Sequence, residues 1–147
     1  MNRRSVLKRA IYWISFLFGG IGLAASISVY PFGARRKRLS FLPVLSVEDA
    51  PRKGVRAILV PFTAGGKRNE RRAFLVATDQ GLMALSSQCT HLGCLVNWDA
   101  GRREFLCPCH GGRYDMEGRR LSGPPPAPLE ILPLRIEGDM IYVGVRI

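Results

Sequence analysis

The first 40 residues contain no aspartate or glutamate. They hold eight basic residues instead: Arg3, Arg4, Lys8, Arg9, Arg35, Arg36, Lys37 and Arg38. Charge of either sign is missing from Ala10 to Tyr30, a run of 21 residues. Cysteine and histidine are scarce as well. The 147 residues include four cysteines and two histidines, and none lies outside residues 89–112. No convincing amphipathic helix follows the apolar run, and no repeat of solenoid type is present.

These gaps narrow the choices. The net charge is +11, yet residues 41–147 carry 14 basic and 11 acidic groups, a net of only +3. The excess therefore flanks an apolar span, where basic groups set topology, and it is no sign of nucleic-acid binding. At about 1.5 Å per residue the uncharged run reaches about 31 Å as a helix, the thickness of a bilayer core. We expect a basic cytoplasmic segment over 1–9, a transmembrane anchor over 10–30, a hinge linker over 31–42 and a head over 43–147. Pro31 and Gly33 are the expected helix stop. Ala24-Ala25-Ser26 offers small residues for a signal-peptide cleavage site. Apolar character continues through Tyr30, however, so an uncleaved anchor is expected. Arg3-Arg4-Ser5-Val6-Leu7-Lys8 fits the twin-arginine export pattern. Four basic residues stand on each side of the span, so the positive-inside count alone ties.

The head reads as short β-type runs between turn signals. Val44–Val47, Val55–Phe62, Arg72–Thr78 and Leu82–Ser87 come first. Leu95–Trp98, Glu104–Cys107, Arg119–Leu121, Ile131–Glu137 and Met140–Arg146 follow. Pro61 bars a central position near the end of its run. Thr63–Arg71, with Gly65-Gly66, reads as an exposed hairpin loop. The expected fold class is an all-β head, a sandwich or open barrel, behind one N-terminal helix.

All six soft or borderline ligands fall in CTHLGCLVNWDAGRREFLCPCHGG, residues 89–112. They form two boxes, C-x-H-x-x-C and C-x-C-H. Each box can offer one thiolate and one imidazole. Two thiolates with two imidazoles suit a tetrahedral zinc site. They suit equally a [2Fe–2S] cluster with two cysteines on one iron and two histidines on the other. Structural zinc usually pairs like ligands, whereas here Cys and His alternate. Zinc would also leave two cysteines idle. Each box follows a strand, so two loops at one end of a β-scaffold can close on a metal from both sides.

CTHLGC followed by CPCHGG, with Gly123-Pro124-Pro125-Pro126 downstream, resembles the Rieske iron–sulfur proteins of cytochrome bc-type quinol-oxidising complexes. The resemblance covers the whole chain in layout. It implies a Rieske-type antiparallel sandwich with a cluster-binding part over about 88–128. One [2Fe–2S] cluster would be held by Cys89 and Cys107 on one iron and by His91 and His110 on the other. Cys94 and Cys109 would form a disulfide, which places the head outside the cytoplasm. The alternative, with Cys94 or Cys109 as a ligand, sets Cys109 beside His110, where neighbouring side chains diverge. The implied partners are a membrane cytochrome b, a c-type cytochrome and a quinol, in a dimeric multi-subunit membrane complex. The implied placement is N-terminus inside, head on the extracytoplasmic side of the cytoplasmic membrane. His110 and His91 are the expected proton-handling pair. Tyr114 is the expected donor to a ligand sulfur. Gly112 departs from the family pattern, which often has serine there. A missing donor lowers the expected potential and points to menaquinol. Three rival expectations are a Rieske subunit of another exported oxidoreductase such as an arsenite oxidase, a soluble Rieske ferredoxin or oxygenase domain, and a structural zinc module.

Overall fold

The computed structural model of the protein describes residues 3–29 and 38–147. It divides into two units, residues 1–36 and 37–147.

The first unit is helix α1, Arg3–Val29, of 27 residues. It starts seven residues before the uncharged run because Arg, Leu and Lys are good helix formers and no proline or glycine interrupts Arg3–Arg9. Its length is about 40 Å. Ile11, Trp13, Phe16 and Phe18 are all exposed on it. It is long and apolar enough to cross a membrane. Tyr30, Pro31 and Gly33 lie outside the described residues, as does most of the expected linker. The linker's last residues do not behave as one. Leu39–Leu42 already belong to the first strand.

The second unit is all β. Its strands are β1 (Leu39–Ser46), β2 (Gly54–Ala64), β3 (Lys67–Thr78), β4 (Gly81–Ser86), β5 (Asn97–Asp99) and β6 (Glu104–Leu106). They continue with β7 (Arg113–Tyr114), β8 (Arg120–Ser122), β9 (Ile131–Leu132), β10 (Leu134–Glu137) and β11 (Met140–Arg146). Three antiparallel sheets result, in the orders β1-β11-β10, β2-β3-β4-β9 and β5-β6-β7-β8.

The middle sheet is covered on both faces. Ile58, Val60, Ala73, Leu75, Ala84 and Leu132 pack with Ile141, Val143 and Val145 of β11. Phe74, Val76 and Leu85, on the opposite face, pack with Cys89, Val96, Phe105, Cys107, Tyr114 and Leu129. Double coverage explains why Ala73-Phe74-Leu75-Val76-Ala77 reads as an unbroken apolar run rather than an alternating one. The predicted sandwich is thus a three-layer stack, with the metal-ligand boxes in the third layer.

Three local differences have physical causes. Thr63–Arg71 is no open loop. β2 and β3 stay paired out to Ala64↔Lys67. Only Gly65 and Gly66 turn, at φ 58° and 75°, the double positive φ of a type I′ hairpin. Polar composition masked the strands. Ile131–Glu137 is two strands in two sheets, because Pro133 has no N–H to continue a ladder. The two-residue β7 was too short to read from a pattern. Pro61 sits on β2, which is an edge strand as expected.

Phe105 is fully buried, with ring centroids 4.8 Å from both Phe74 and Trp98. It joins the middle sheet to the third layer. Phe105→Ala should cost about 3–5 kcal/mol by analogy with other core aromatics. Denaturant unfolding of the full chain checks this, and a loss below about 1 kcal/mol would contradict the packing assignment.

Candidate metal centre

The two boxes are built the same way in the backbone, beyond their shared chemistry. Cys89 N–H donates to Cys94 C=O at 2.8 Å, and Gly93 N–H to Cys89 C=O at 3.0 Å. In the second box Cys107 N–H donates to Gly112 C=O at 2.8 Å, and Gly111 N–H to Cys107 C=O at 3.1 Å. Gly93 and Gly111 both take positive φ, 76° and 68°, which lets each loop fold back on its own cysteine. The first box leaves the end of β4 and the second the end of β6. The chemical likeness of the boxes in the sequence understated their structural likeness.

The loops face each other. Cys94 and Cys109 form a disulfide with a Cα–Cα distance of 6.6 Å. Cys89 and Cys107 are free and buried. The His91 and His110 rings stand edge to face, 4.9 Å apart. His91 is half-buried and His110 exposed. His91 Nδ1 is buried without a hydrogen-bond partner, a costly state for an imidazole nitrogen unless it binds something. The Sγ atoms of Cys94, Cys107 and Cys109 also lie within 4.8 Å of one another. That trio cannot be a ligand set, since two of its sulfurs are already bonded together. The remaining donors, two thiols and two imidazoles, fit a [2Fe–2S] cluster of mixed ligation.

Hydrogen bonds converge on Cys89. Burial pushes its thiol up, but Tyr114, the backbone at His91, the Cys107 thiol and the backbone at Leu92 together hold it below the ordinary value. The Tyr114 hydroxyl lies 3.2 Å from Cys89 Sγ. Burial first, then donation toward Cys89, pushes the phenol up, so it stays a donor. Thr90 N–H donates to the same hydroxyl at 3.2 Å. Thr90 Oγ1 donates to Ala127 C=O at 2.6 Å, tying the first box to the proline segment. Sequence reasoning missed Thr90, for which no signal beyond its place between Cys89 and His91 existed. On the surface nearby, Arg113 grips Glu104 with two bonds of 2.8 Å. Its side chain holds the Glu104 carboxyl below the usual range. A cleft of about 770 Å³ flanks the second box beside Trp98, Pro108 and Gly111. It includes neither histidine.

Gly112 is glycine for a reason that the sequence did not show. A Cβ there would lie 2.6 Å from Pro125 Cγ and 3.0 Å from Pro125 Cδ. Pro125 is itself fully buried. Gly123, at φ 92°, approaches so closely that its Cβ would meet Gly112 Cα at 2.9 Å. The Gly-Pro-Pro-Pro segment therefore closes onto the second box, backbone against backbone. A serine at 112 collides with a proline ring before its hydroxyl donates to anything. Leu92, at the outer turn of the first box, is 70% exposed.

Two outcomes follow from this packing. Gly112→Ala should destabilise the chain by about 1–3 kcal/mol, and Pro125→Ala in the same chain should recover part of that loss; an unchanged melting profile of the single variant would refute the contact. Cys94→Ser opens a loop whose ends are 15 residues apart. It should cost about 3 kcal/mol and lower the iron content, with wild-type values of both arguing against the disulfide's role.

Comparison with known proteins agrees with this geometry. A family model described as the Rieske [2Fe-2S] domain matches residues 41–133. The chain is similar to the cytochrome b6-f complex iron-sulfur subunit of Chlorobaculum thiosulfatiphilum, 34% identical over 87% of this chain and 71% of that one. It is 32% identical to the subunit of the same description from Chlorobaculum tepidum, over 98% of this chain and 76% of the other. The crystal structure of a cyanobacterial plasma membrane Rieske protein from Synechocystis superposes with a TM-score of 0.51. That pair shares 27% identity over 69% of this chain and 97% of the other. A zinc module is excluded as the reading of the two boxes. The chain belongs to the Rieske [2Fe–2S] family, among the iron–sulfur proteins of cytochrome bc-type complexes.

Proposed function

We propose that the chain is the electron-transfer subunit of a quinol:cytochrome c oxidoreductase. The observation that carries this is the pair of matched loops. They bring two free buried thiols and two edge-to-face imidazoles together beside an exposed leucine.

In this reading Cys89 and Cys107 hold one iron and His91 and His110 the other. Bound there, the cluster supplies a one-electron acceptor in the range of about −150 to +300 mV. The chain's own residues do the rest. His110 is the exposed imidazole, so its outer ring nitrogen is the one that accepts a hydrogen bond from a quinol and takes its proton. Imidazole suits this task because its proton affinity lies near neutral pH and shifts with nearby charge. Leu92 supplies apolar surface for an apolar quinol pocket shared with a membrane cytochrome b. Tyr114 donates to Cys89 Sγ and favours the more negative, reduced state. Gly112 offers no second donor, which places the potential low and suits menaquinol. A c-type cytochrome takes the electron onward.

The N-terminal segment fits the same reading. Arg3-Arg4 directs twin-arginine export, a route that carries folded cargo and so suits a head loaded before it crosses. α1 remains as anchor, N-terminus inside, with the head on the extracytoplasmic side. Residues between the anchor and β1 serve as hinge, and the complex is dimeric.

EPR of the reduced, membrane-extracted chain with a redox titration tests the assignment. The expected result is one [2Fe–2S] signal with nitrogen ligation and a midpoint in the lower part of the family range. Bound zinc without iron, or a midpoint at the top of that range, would overturn it. The donor argument needs a variant with room for a hydroxyl. Gly112→Ser with Pro125→Ala should titrate on the order of tens of mV above Gly112→Ala with Pro125→Ala; equal midpoints sink the role of the missing hydroxyl.

A further inference from the structure

The charge of the head is sorted along the chain. Seven of the 14 basic residues in 41–147 fall between Arg52 and Arg72, against one acid, Glu70. That segment carries a net +6, and the rest of 41–147 carries seven basic and ten acidic residues, a net −3. The structure places the segment on one element, the β2–β3 hairpin and the turn that leads into it.

Of the seven basic residues elsewhere in the head, four, Arg102, Arg113, Arg119 and Arg135, each pair with a carboxylate. None of the seven between Arg52 and Arg72 does so among the described residues. Arg56 donates to the Asp49 carbonyl. Arg72 donates to the Val96 carbonyl and to Asn97 Oδ1. Arg71 lies over the Phe62 ring at 5.9 Å. Lys67 and Arg68 are exposed at the tip. Four of these seven, Lys67, Arg68, Arg71 and Arg72, lie on the outer part of the hairpin with Glu70, a net +3. Unpaired like charges so close together repel each other and cost stability unless an anion meets them.

The position of the hairpin says which anion. β4 pairs with β3 only as far as Ala73↔Ser86. Beyond that point β2 and β3 run on as a two-stranded ribbon of about six residue pairs, roughly 20 Å long. The ribbon projects past the place where the chain leaves the sheet for the first box. Arg72, at its root, bonds to the chain on either side of that box: its carbonyl accepts from Ser87 Oγ and its guanidinium donates to Val96 C=O. A protein that approaches the metal centre from this flank meets the ribbon. Lys67 and Arg68 are adjacent in the strand, so they point to opposite faces. A flat lipid surface meets one face only, whereas a contoured protein surface can engage both.

We propose that the β2–β3 ribbon is a docking arm for the acidic surface of the protein that takes the electron. The inference rests on the electron-transfer reading above. The arm steers approach and holds register, the role that complementary charge plays best. It lies outside the ligand set, so its loss leaves the metal centre intact.

The test uses the full chain with its cluster in nonionic detergent and an acidic c-type cytochrome as probe. Binding is measured by titration calorimetry at about 20 and 200 mM salt, and one-electron reduction of the ferric haem by the chain, pre-reduced with dithionite and freed of excess reductant, is followed by stopped flow. Wild type should bind more tightly at low salt. Lys67→Glu with Arg68→Glu should weaken low-salt binding about tenfold or more and flatten the salt dependence, with an unchanged EPR signal. Arg68→Glu alone should weaken it more than Arg146→Glu, an equal change in charge on the other sheet. Equal effects of those two single variants, or no effect of the tip pair, would overturn the arm even if the haem is reduced at wild-type rate. Charge-dependent binding without haem reduction would keep the arm and refute this acceptor. If the tip variants release the chain only from phosphatidylglycerol vesicles and leave cytochrome binding unchanged, the arm is a lipid contact and the proposal fails.

Discussion

The structure depends on one requirement: two loops from separate strands must present their donors to a common point. Each loop solves its half with the same pair of backbone hydrogen bonds, and the two halves are then fixed to each other. The Cys94–Cys109 disulfide supplies the covalent part of that fixing. Tyr114 supplies the polar part, since its hydroxyl meets both Cys89 Sγ and the Thr90 backbone. The rest of the head serves these contacts. The middle sheet gives the third layer an apolar face to stand on, and Phe105 and Tyr114 occupy that face together as neighbours across β6 and β7.

Much of the site was legible because ligand chemistry is written in residue types. The two Cys/His boxes narrow the metal to zinc or a mixed-ligand [2Fe–2S] cluster before any fold is known. The choice of four ligands and the Cys94–Cys109 pairing came from the resemblance to Rieske proteins, and the structure shows that disulfide. The N-terminal helix was legible for a similar reason, since an uncharged run of 21 residues is long enough to cross a membrane as a helix. Strand order was not legible. Which sheet a short apolar run joins depends on partners far away in the chain, and Ile131–Glu137 divides between two sheets at a single proline. The outer part of the β2–β3 ribbon was also hidden, because its β3 half, Lys67–Arg72, is polar and its pairing is held by backbone bonds that carry no side-chain signature.

Gly112 shows how one residue type can have two explanations that only coordinates separate. Its sequence neighbours suggest a lost hydroxyl. Its spatial neighbours show a position already filled, by the Pro125 ring from one side and the Gly123 backbone close by. The two accounts are compatible. A chain without a side chain at 112 can bring its proline segment closer, and that segment then covers the buried Gly112 end of the second box, while His110 stays exposed. A drier surrounding disfavours added negative charge on a buried centre, the same direction as the absent donor.

The two ends of the head meet in a way that bears on mechanics. Arg38 and Ile147 exchange two backbone hydrogen bonds, 2.9 and 3.0 Å. β1 then lies along β11 from Leu39↔Arg146 to Ser46↔Met140. Any pull on the chain ahead of Arg38 reaches this terminal pair first. The load passes into the outermost sheet, on the far side of the middle sheet from the metal-ligand loops. Tension on the leading segment can thus strain or fray the β1–β11 seam while the loop geometry stays undisturbed, as a hawser loads the cleat rather than the cargo.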